Sequence, residues 1–297
     1  VASKNTDHMS FQHEVEIEEK TRKQIMNVIF DETKLQSQLH MWQLQGFSTA
    51  LVPIMEPLHQ GHFTLIAKAK LHAQKVIVCP CYPKTLLESL SLQNSKDNET
   101  LSQNSLVDLI YEPEPQAVPS HPSWSALPYI SDVMTYLSQP RSFRTIAKIT
   151  CQLLNQMRPT IVCLSDKDFQ QMMVIRHMIA DLSMPIHIIS VPTQREHDGL
   201  AISAYNQLLS DNLRPKAVHL KNTIDWMADK IQHGRPIKQV VTAGKLQLRT
   251  WGFKPDYLEV LNPIDLKPTT DHADQIGIFA SVFLGKPRLS DHLIIRR

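Results

Sequence analysis

Two histidines, His59 and His62, end the stretch Leu51-Val-Pro-Ile-Met-Glu-Pro-Leu-His-Gln-Gly-His62, just before Phe63-Thr-Leu-Ile-Ala-Lys-Ala-Lys70. The pattern reads as a strand ending in a proline, a short loop and a helix. A helix that begins near His59 puts the two imidazoles three residues apart on one face. The same turn carries the free N–H groups of the first helical residues and the positive end of the helix dipole, so it suits a phosphate. Imidazoles beside it could donate hydrogen bonds to phosphate oxygens as charge builds in a transition state. The small Gly61 would let a nucleotide approach the backbone closely. The plainer alternative is that a histidine pair simply caps a helix.

A second group of candidates is Ser165-Asp-Lys-Asp-Phe-Gln-Gln171. Lys167 could neutralise phosphate charge. Asp168 could order that lysine or a metal ion, and Gln171 could hydrogen-bond a substrate oxygen. Taken alone, the stretch also reads as an exposed helix start capped by aspartate. In Arg195-Glu-His-Asp-Gly-Leu-Ala201, the charged residues Arg195, Glu196 and Asp198 fit a solvated turn, and Pro255-Asp-Tyr-Leu-Glu-Val-Leu-Asn-Pro263 reads as structural.

The elements that must position these residues alternate between strand and helix. Residues 11–45 have helical spacing through Ile25, Val28, Ile29, Leu35, Leu39 and Trp42, and Gly46 ends them. Strands are expected at Thr49–Pro53, Lys75–Cys79, Leu106–Tyr111, Thr160–Leu164 and Ile186–Val191. Helices are expected at 62–74, Phe143–Met157 and 167–181, and a weak helix followed by a mobile loop at 84–104. Prolines 113, 115, 119, 122 and 128 make 112–128 irregular. The alternation argues for an α/β fold with a doubly wound parallel sheet, whose ligands sit beyond the carboxyl ends of the strands. After residue 193 the pattern changes. Helices at Leu200–Leu209 and Thr223–Gln232, a strand-like run at Val240-Val241, and strands within Trp251–Leu261 and at Ile276–Phe283 suggest a smaller α+β domain. The expected division is 1–21 as a tag remnant (marked by His8-Met9) and extension, 22–193 as a nucleotide-binding Rossmann-like domain, and 194–297 as a C-terminal lid.

Composition narrows the function classes. The 297 residues are 42% apolar and 20% charged with net charge +2, which points to neither nucleic acid nor a membrane surface. No run is long enough to span a bilayer and no leader peptide is visible, so a cytoplasmic location is expected. Cys79, Cys81, Cys151 and Cys163 lie in or beside apolar runs and read as buried, reduced thiols; no metal site is assigned. The 8 glycines form neither Gly-x-Gly-x-x-Gly nor a P-loop, leaving the His59/His62 turn as the phosphate candidate.

Taken in order, these stretches resemble the pantothenate synthetase family. The resemblance runs from about Ile25 to the end. Val52–His62, Lys167–Gln171, Val191-Pro-Thr193, Arg195–Ala201, Asp256–Val260 and Leu284-Gly-Lys-Pro-Arg-Leu289 carry it. It implies a homodimeric enzyme of nucleotidyltransferase type that uses ATP and Mg2+. Such an enzyme adenylates pantoate with release of pyrophosphate, after which the amine of β-alanine displaces AMP. By the resemblance, Met55, Gly61, His59 and His62 meet ATP, the histidines at its phosphates. Lys167 stabilises the pentacoordinate transition state, Asp168 lies near the nucleotide, Gln171 binds the acid, and Ser203 faces the phosphates from the second domain.

The chain departs from the family where substrates bind. Met-Gly becomes Met55-Glu56, and a carboxylate beside a triphosphate is repulsive unless it points away or holds a cation. Asn-Pro-x-Gln-Phe becomes Tyr82-Pro-Lys-Thr85-Leu, Arg-Pro-Gly-His-Phe becomes Gln139-Pro-Arg-Ser142-Phe, and Ser-Ser-Arg-Asn becomes Ser203-Ala204-Tyr205-Asn. Lys84 and Arg141 lie close in sequence to the lost groups. Two further readings therefore stand beside the family reaction: an adenylate-forming amide ligase with a different acid or amine, and a non-catalytic nucleotide-binding relative. A nucleotidyltransferase acting on a phosphate acceptor also uses a His-x-Gly-His turn, and the Lys167 and Arg195 stretches count against it.

Overall fold

A computed structural model describes residues 28–81, 94–113 and 140–296. Its larger sheet has six parallel strands: β1 (Val28–Ile29), β2 (Thr49–Ile54), β3 (Lys75–Pro80), β4 (Leu109–Tyr111), β5 (Ile161–Ser165) and β6 (His187–Val191). Their order is β1-β4-β3-β2-β5-β6. The chain winds outward from β2 through β3 to β4, then returns to place β5 on the other side of β2. The order therefore reverses between β2 and β5, and the crevice beyond their carboxyl ends is where such sheets hold ligands.

Helices cover both faces, so the central strands are apolar without a break. Alternate residues serve the two layers. Leu51, Ile77 and Val162 pack with α1 (Glu32–Leu44), α4 (Pro140–Met157) and α5 (Phe169–Asp181). Ala50, Val52, Ile54, Val76 and Val78 pack with Leu65, Ile66 and Ala69 of α2 (Gln60–His72) and Leu101 of α3 (Asn94–Ser102). The four cysteines are free and buried.

Several local expectations needed correction. Val28 and Ile29 are not helical; they form an edge strand paired with Ile110 and Tyr111. Two β-branched side chains fit that pairing better than a helix. The helix begins only at Glu32, capped by Asp31, whose carboxylate accepts from the Lys34 amide at 2.9 Å. In 84–104 the helix comes late, at Asn94–Ser102. The first part of 84–104, where the weak helix is expected, lies outside the described residues, as do the proline-rich stretch beyond residue 113 and the extension at 1–21.

The second sheet is antiparallel, β7 (Lys254–Leu261), β8 (Gln275–Phe283) and β9 (Arg288–Arg296) in that order. It packs with α6 (His219–Gln232) and α7 (Ile237–Thr250) around Leu220, Ile224, Met227, Leu248, Leu258 and Ile278. The Val240-Val241 run is therefore helical. A Cβ on Gly244 would lie 2.8 Å from Met227 Sδ and 3.1 Å from Leu258, so the bare glycine lets α7 press onto α6 and β7, and that packing overrides the valines' strand preference. Leu200–Leu209 holds only a short 3-10 turn, Ala204–Leu208, because Ala201 pairs with Arg195 in an isolated bridge. In the first half of strand β9, buried Leu289 and Asp291 alternate with more exposed polar groups, and Leu293-Ile294-Ile295 follow.

Candidate active site

The turn after β2 is built by its own histidines. His59 is the N-cap of α2, with extended backbone. Its Nδ1 accepts the Gly61 amide at 3.1 Å, and His62 Nδ1 accepts the His59 amide at 3.2 Å. The rings stack at 3.9 Å between centroids. The capping alternative is thus realised, and it also sets the chemistry. With both Nδ1 atoms accepting, each ring when neutral carries its proton on Nε2, which is then a donor. Gly61 makes room for its neighbour: a Cβ there would sit 2.9 Å from the His59 ring. Burial, followed by the charge of His59, drives the His62 pKa down to about 3, so its ring stays neutral.

Lys167 comes from the adjacent strand. After β5 the chain makes a 3-10 turn at Asp166–Asp168, with Ser165 Oγ accepting the Lys167 amide at 3.1 Å. This aims Lys167 Nζ across to the β2 turn, 3.1 Å from Glu56 Oε1 and 3.2 Å from Asp168 Oδ1. Burial works against the ammonium charge, but the two carboxylates outweigh it and raise its pKa. Asp168 is 41% exposed and stands on the solvent side of the lysine. Gln171 lies half-buried in the first turn of α5. Met55 is half-buried next to Glu56 in the chain, with the Cys81 thiol 3.4 Å from its sulfur.

Glu56 is the hub of the site. From the sequence it reads as repulsive to a triphosphate unless it points away or holds a cation. Its Oε1 accepts from His59 Nε2 at 2.9 Å and from Lys167, and its Oε2 accepts from Ser203 Oγ at 2.8 Å. Burial pushes the carboxyl pKa up, but Lys167 and the His59 hydrogen bond overcome that and hold it well below the usual range. Ser203 reaches the site from the segment after β6 and also takes the Tyr205 amide at 3.3 Å. Burial raises the Tyr205 pKa, and the charge of Glu56 adds to the effect. Tyr257, on β7, packs partly buried against the core around the larger sheet, as its structural reading expects. Burial pushes its pKa up to about 12, and the charge of Asp168 adds to the rise.

The Arg195 stretch is a fastening rather than a solvated turn. Arg195 clamps Asp291 of β9 with two hydrogen bonds of 2.7 and 2.9 Å and reaches the Gly199 carbonyl at 3.0 Å. Arg214 holds Asp198 at 2.7 Å and Glu196 at 2.8 Å. Of the altered positions, Tyr82, Lys84, Thr85 and Gln139 lie outside the described residues, and Ser142 falls in the first turn of α4.

A six-stranded parallel sheet with a His-x-Gly-His turn at its switch point, joined to a small antiparallel sheet, defines a nucleotidyltransferase-type fold. The sequence model of pantoate-beta-alanine ligase matches residues 27–294, and the chain belongs to that family. It is 36% identical to pantothenate synthetase of Shewanella sediminis (strain HAW-EB3) over 283 residues, covering 89% of this chain and 98% of the relative. It is 32% identical to the Aeromonas hydrophila pantothenate synthetase over 290 residues, covering 91% and 98%. Among solved structures, pantothenate synthetase from Thermus thermophilus superposes with a TM-score of 0.80 at 25% identity, covering 90% of this chain and 99% of that one. A Francisella tularensis pantoate-beta-alanine ligase shares the fold, with a TM-score of 0.68 at 24% identity over 91% and 97%.

Proposed function

We propose that the chain is an ATP-dependent ligase that joins a carboxylic acid to an amine through an acyl-adenylate, with pantoate and β-alanine, the family's pair, as first candidates. The observation that carries this is the convergence of His59 Nε2, Lys167 Nζ and Ser203 Oγ, from three separate segments, on one anionic group beyond β2 and β5. Three donors held in place suit a phosphoryl group, for which catalysis consists mostly of positioning and charge neutralisation. The substrate carboxylate attacks the α-phosphorus and pyrophosphate leaves. The amine then attacks the activated carbonyl and AMP leaves. The Francisella relative is described as complexed with a β,γ-ATP compound and β-alanine, which agrees with this assignment.

In this reading His62 and His59 donate through Nε2, Lys167 offsets phosphate charge and Gln171 meets the acid. Met55 and Gly61 line the nucleotide, and Ser203 closes over the phosphates. The donor set fits phosphate once Glu56 withdraws. Asp168, exposed beside Lys167, is the carboxylate suited to a hydrated Mg2+, which would supply further charge neutralisation. Residues 22–193 would hold the nucleotide and 194–297 would act as the lid that excludes water from the adenylate. A homodimer in the cytoplasm is part of this reading. Among the described residues no helix is long and apolar enough to cross a membrane.

Pyrophosphate exchange into ATP, run with pantoate and with a panel of other small acids, tests the proposal. Exchange with pantoate, followed by AMP release on adding β-alanine, is the expected outcome. Exchange only with another acid would move the chain to the changed-substrate reading, which Tyr205 and the altered 82–86 and 139–143 stretches favour. No exchange with any acid would overturn the ligase assignment.

A further inference from the structure

Among the described residues, the polar contacts of the Glu56 carboxylate go to groups that the proposed function assigns to phosphate. Oε1 takes His59 and Lys167, and Oε2 takes Ser203. The side chains of Glu56, His59 and Lys167 are only about a tenth exposed, so this is a closed arrangement and not a surface pair. A carboxylate and a phosphoryl group present the same chemistry to such donors: planar or tetrahedral oxygens carrying negative charge and accepting several hydrogen bonds.

We infer that Glu56 is an affinity-setting residue whose carboxylate occupies the phosphate seat of the nucleotide site, so that a nucleotide binds only by displacing it. This rests on the assignment of His59, Lys167 and Ser203 to phosphate. Two negative groups cannot share one ammonium and one imidazole donor in a low-dielectric site, and the side chain must therefore rotate away or leave a weakened triphosphate complex. Displacement also frees Ser203, whose hydroxyl ties the segment after β6 to the β2 turn.

The same geometry bears on a rival role. The ligand atoms of Glu56, His59 and His62 lie within 4.8 Å of one another, a grouping that could hold a cation. The Lys167 ammonium, 3.1 Å from the oxygen that would ligate it, argues against this.

The test is ATP titration by calorimetry, with and without Mg2+, on the full chain and on Glu56→Gln, Glu56→Gly and Lys167→Ala. Glu56→Gln keeps the shape and guards against a folding defect in Glu56→Gly. Displacement predicts that both Glu56 variants bind ATP at least ~10-fold more tightly, and that inorganic pyrophosphate raises the thermal midpoint of Glu56→Gly more than that of the parent chain. Unchanged or weaker ATP binding by both variants, with Lys167→Ala still impaired, would overturn the inference and leave the nucleotide site standing. Weakening of the Glu56 variants seen only with Mg2+ would make Glu56 a cation ligand and overturn it as well. ATP binding indifferent to Lys167→Ala would instead remove the phosphate assignment on which the inference rests.

Discussion

The carboxylates of Glu56 and Asp291 are both buried, both paired with a cation, and both tie the segment after β6 to a sheet. Their partners differ in kind. Asp291, 2% exposed at its side chain, faces the fork of one arginine, and its Oδ1 also takes the His292 amide at 2.8 Å. The planar fork meets the carboxylate at two points from one side chain, and the pair fastens the 195–201 bend to β9. Glu56 instead gathers single donors from three segments, His59, Lys167 and Ser203, which no single element brings together. One network is a fastening. The other has the form of a binding site with an internal occupant. A buried ion pair by itself does not distinguish these roles, but the origin and shape of its donors do.

Breaking the two networks should have different consequences. The largest effect is expected for Lys167→Ala. Pyrophosphate exchange should fall ~10²–10³-fold, the usual cost of removing one transition-state donor. Stability should fall by about 3–5 kcal/mol because Glu56 stays buried without its cation. Pairing it with Glu56→Gln should restore stability in urea unfolding without restoring exchange, which separates the chemical role of the lysine from its structural one. Asp291→Ala should cost about 2–3 kcal/mol by the same measurement, less than a fully buried pair because Arg195 is 24% exposed. Recovery of the stability by an additional Arg195→Met change would mark the pair as a fastening.

A smaller effect sharpens the contrast through pH. The unfolded chain protonates His62 below about pH 6.5, whereas the folded ring stays neutral to about pH 3. Between those values the unfolded state holds more protons, so stability falls as the pH falls, by up to about 1.4 kcal/mol per unit. Glu56, whose pKa is lowered from 4.5, adds to the same slope only below that value. His62→Gln should therefore flatten unfolding curves measured between pH 4.5 and 6.5, while Asp291→Ala should leave that contribution intact. The smallest expected effect is Arg214→Ala, about 1 kcal/mol for a partly exposed pair of contacts to Glu196 and Asp198, read as a shift in urea midpoint.

Local sequence determined the α/β alternation, the strand–turn–helix at Leu51–Lys70 and the mutual placement of His59 and His62. These follow from short-range rules: apolar runs covered on both faces, and residues three apart at a helix start. The family likeness linked Lys167, Ser203 and Gln171 to that turn, a link that periodicity cannot make across more than a hundred residues of chain. Tertiary structure decided the rest. It made a strand of Val28-Ile29 by supplying β4 as a partner, and a helix of Val240-Val241 by pressing Gly244 against Met227. It also turned Glu56 from an apparent misfit into the centre of the site. The charge of a side chain is written in the sequence, but its pKa, its partners and the space it fills depend on donors that only the fold brings within about 3 Å.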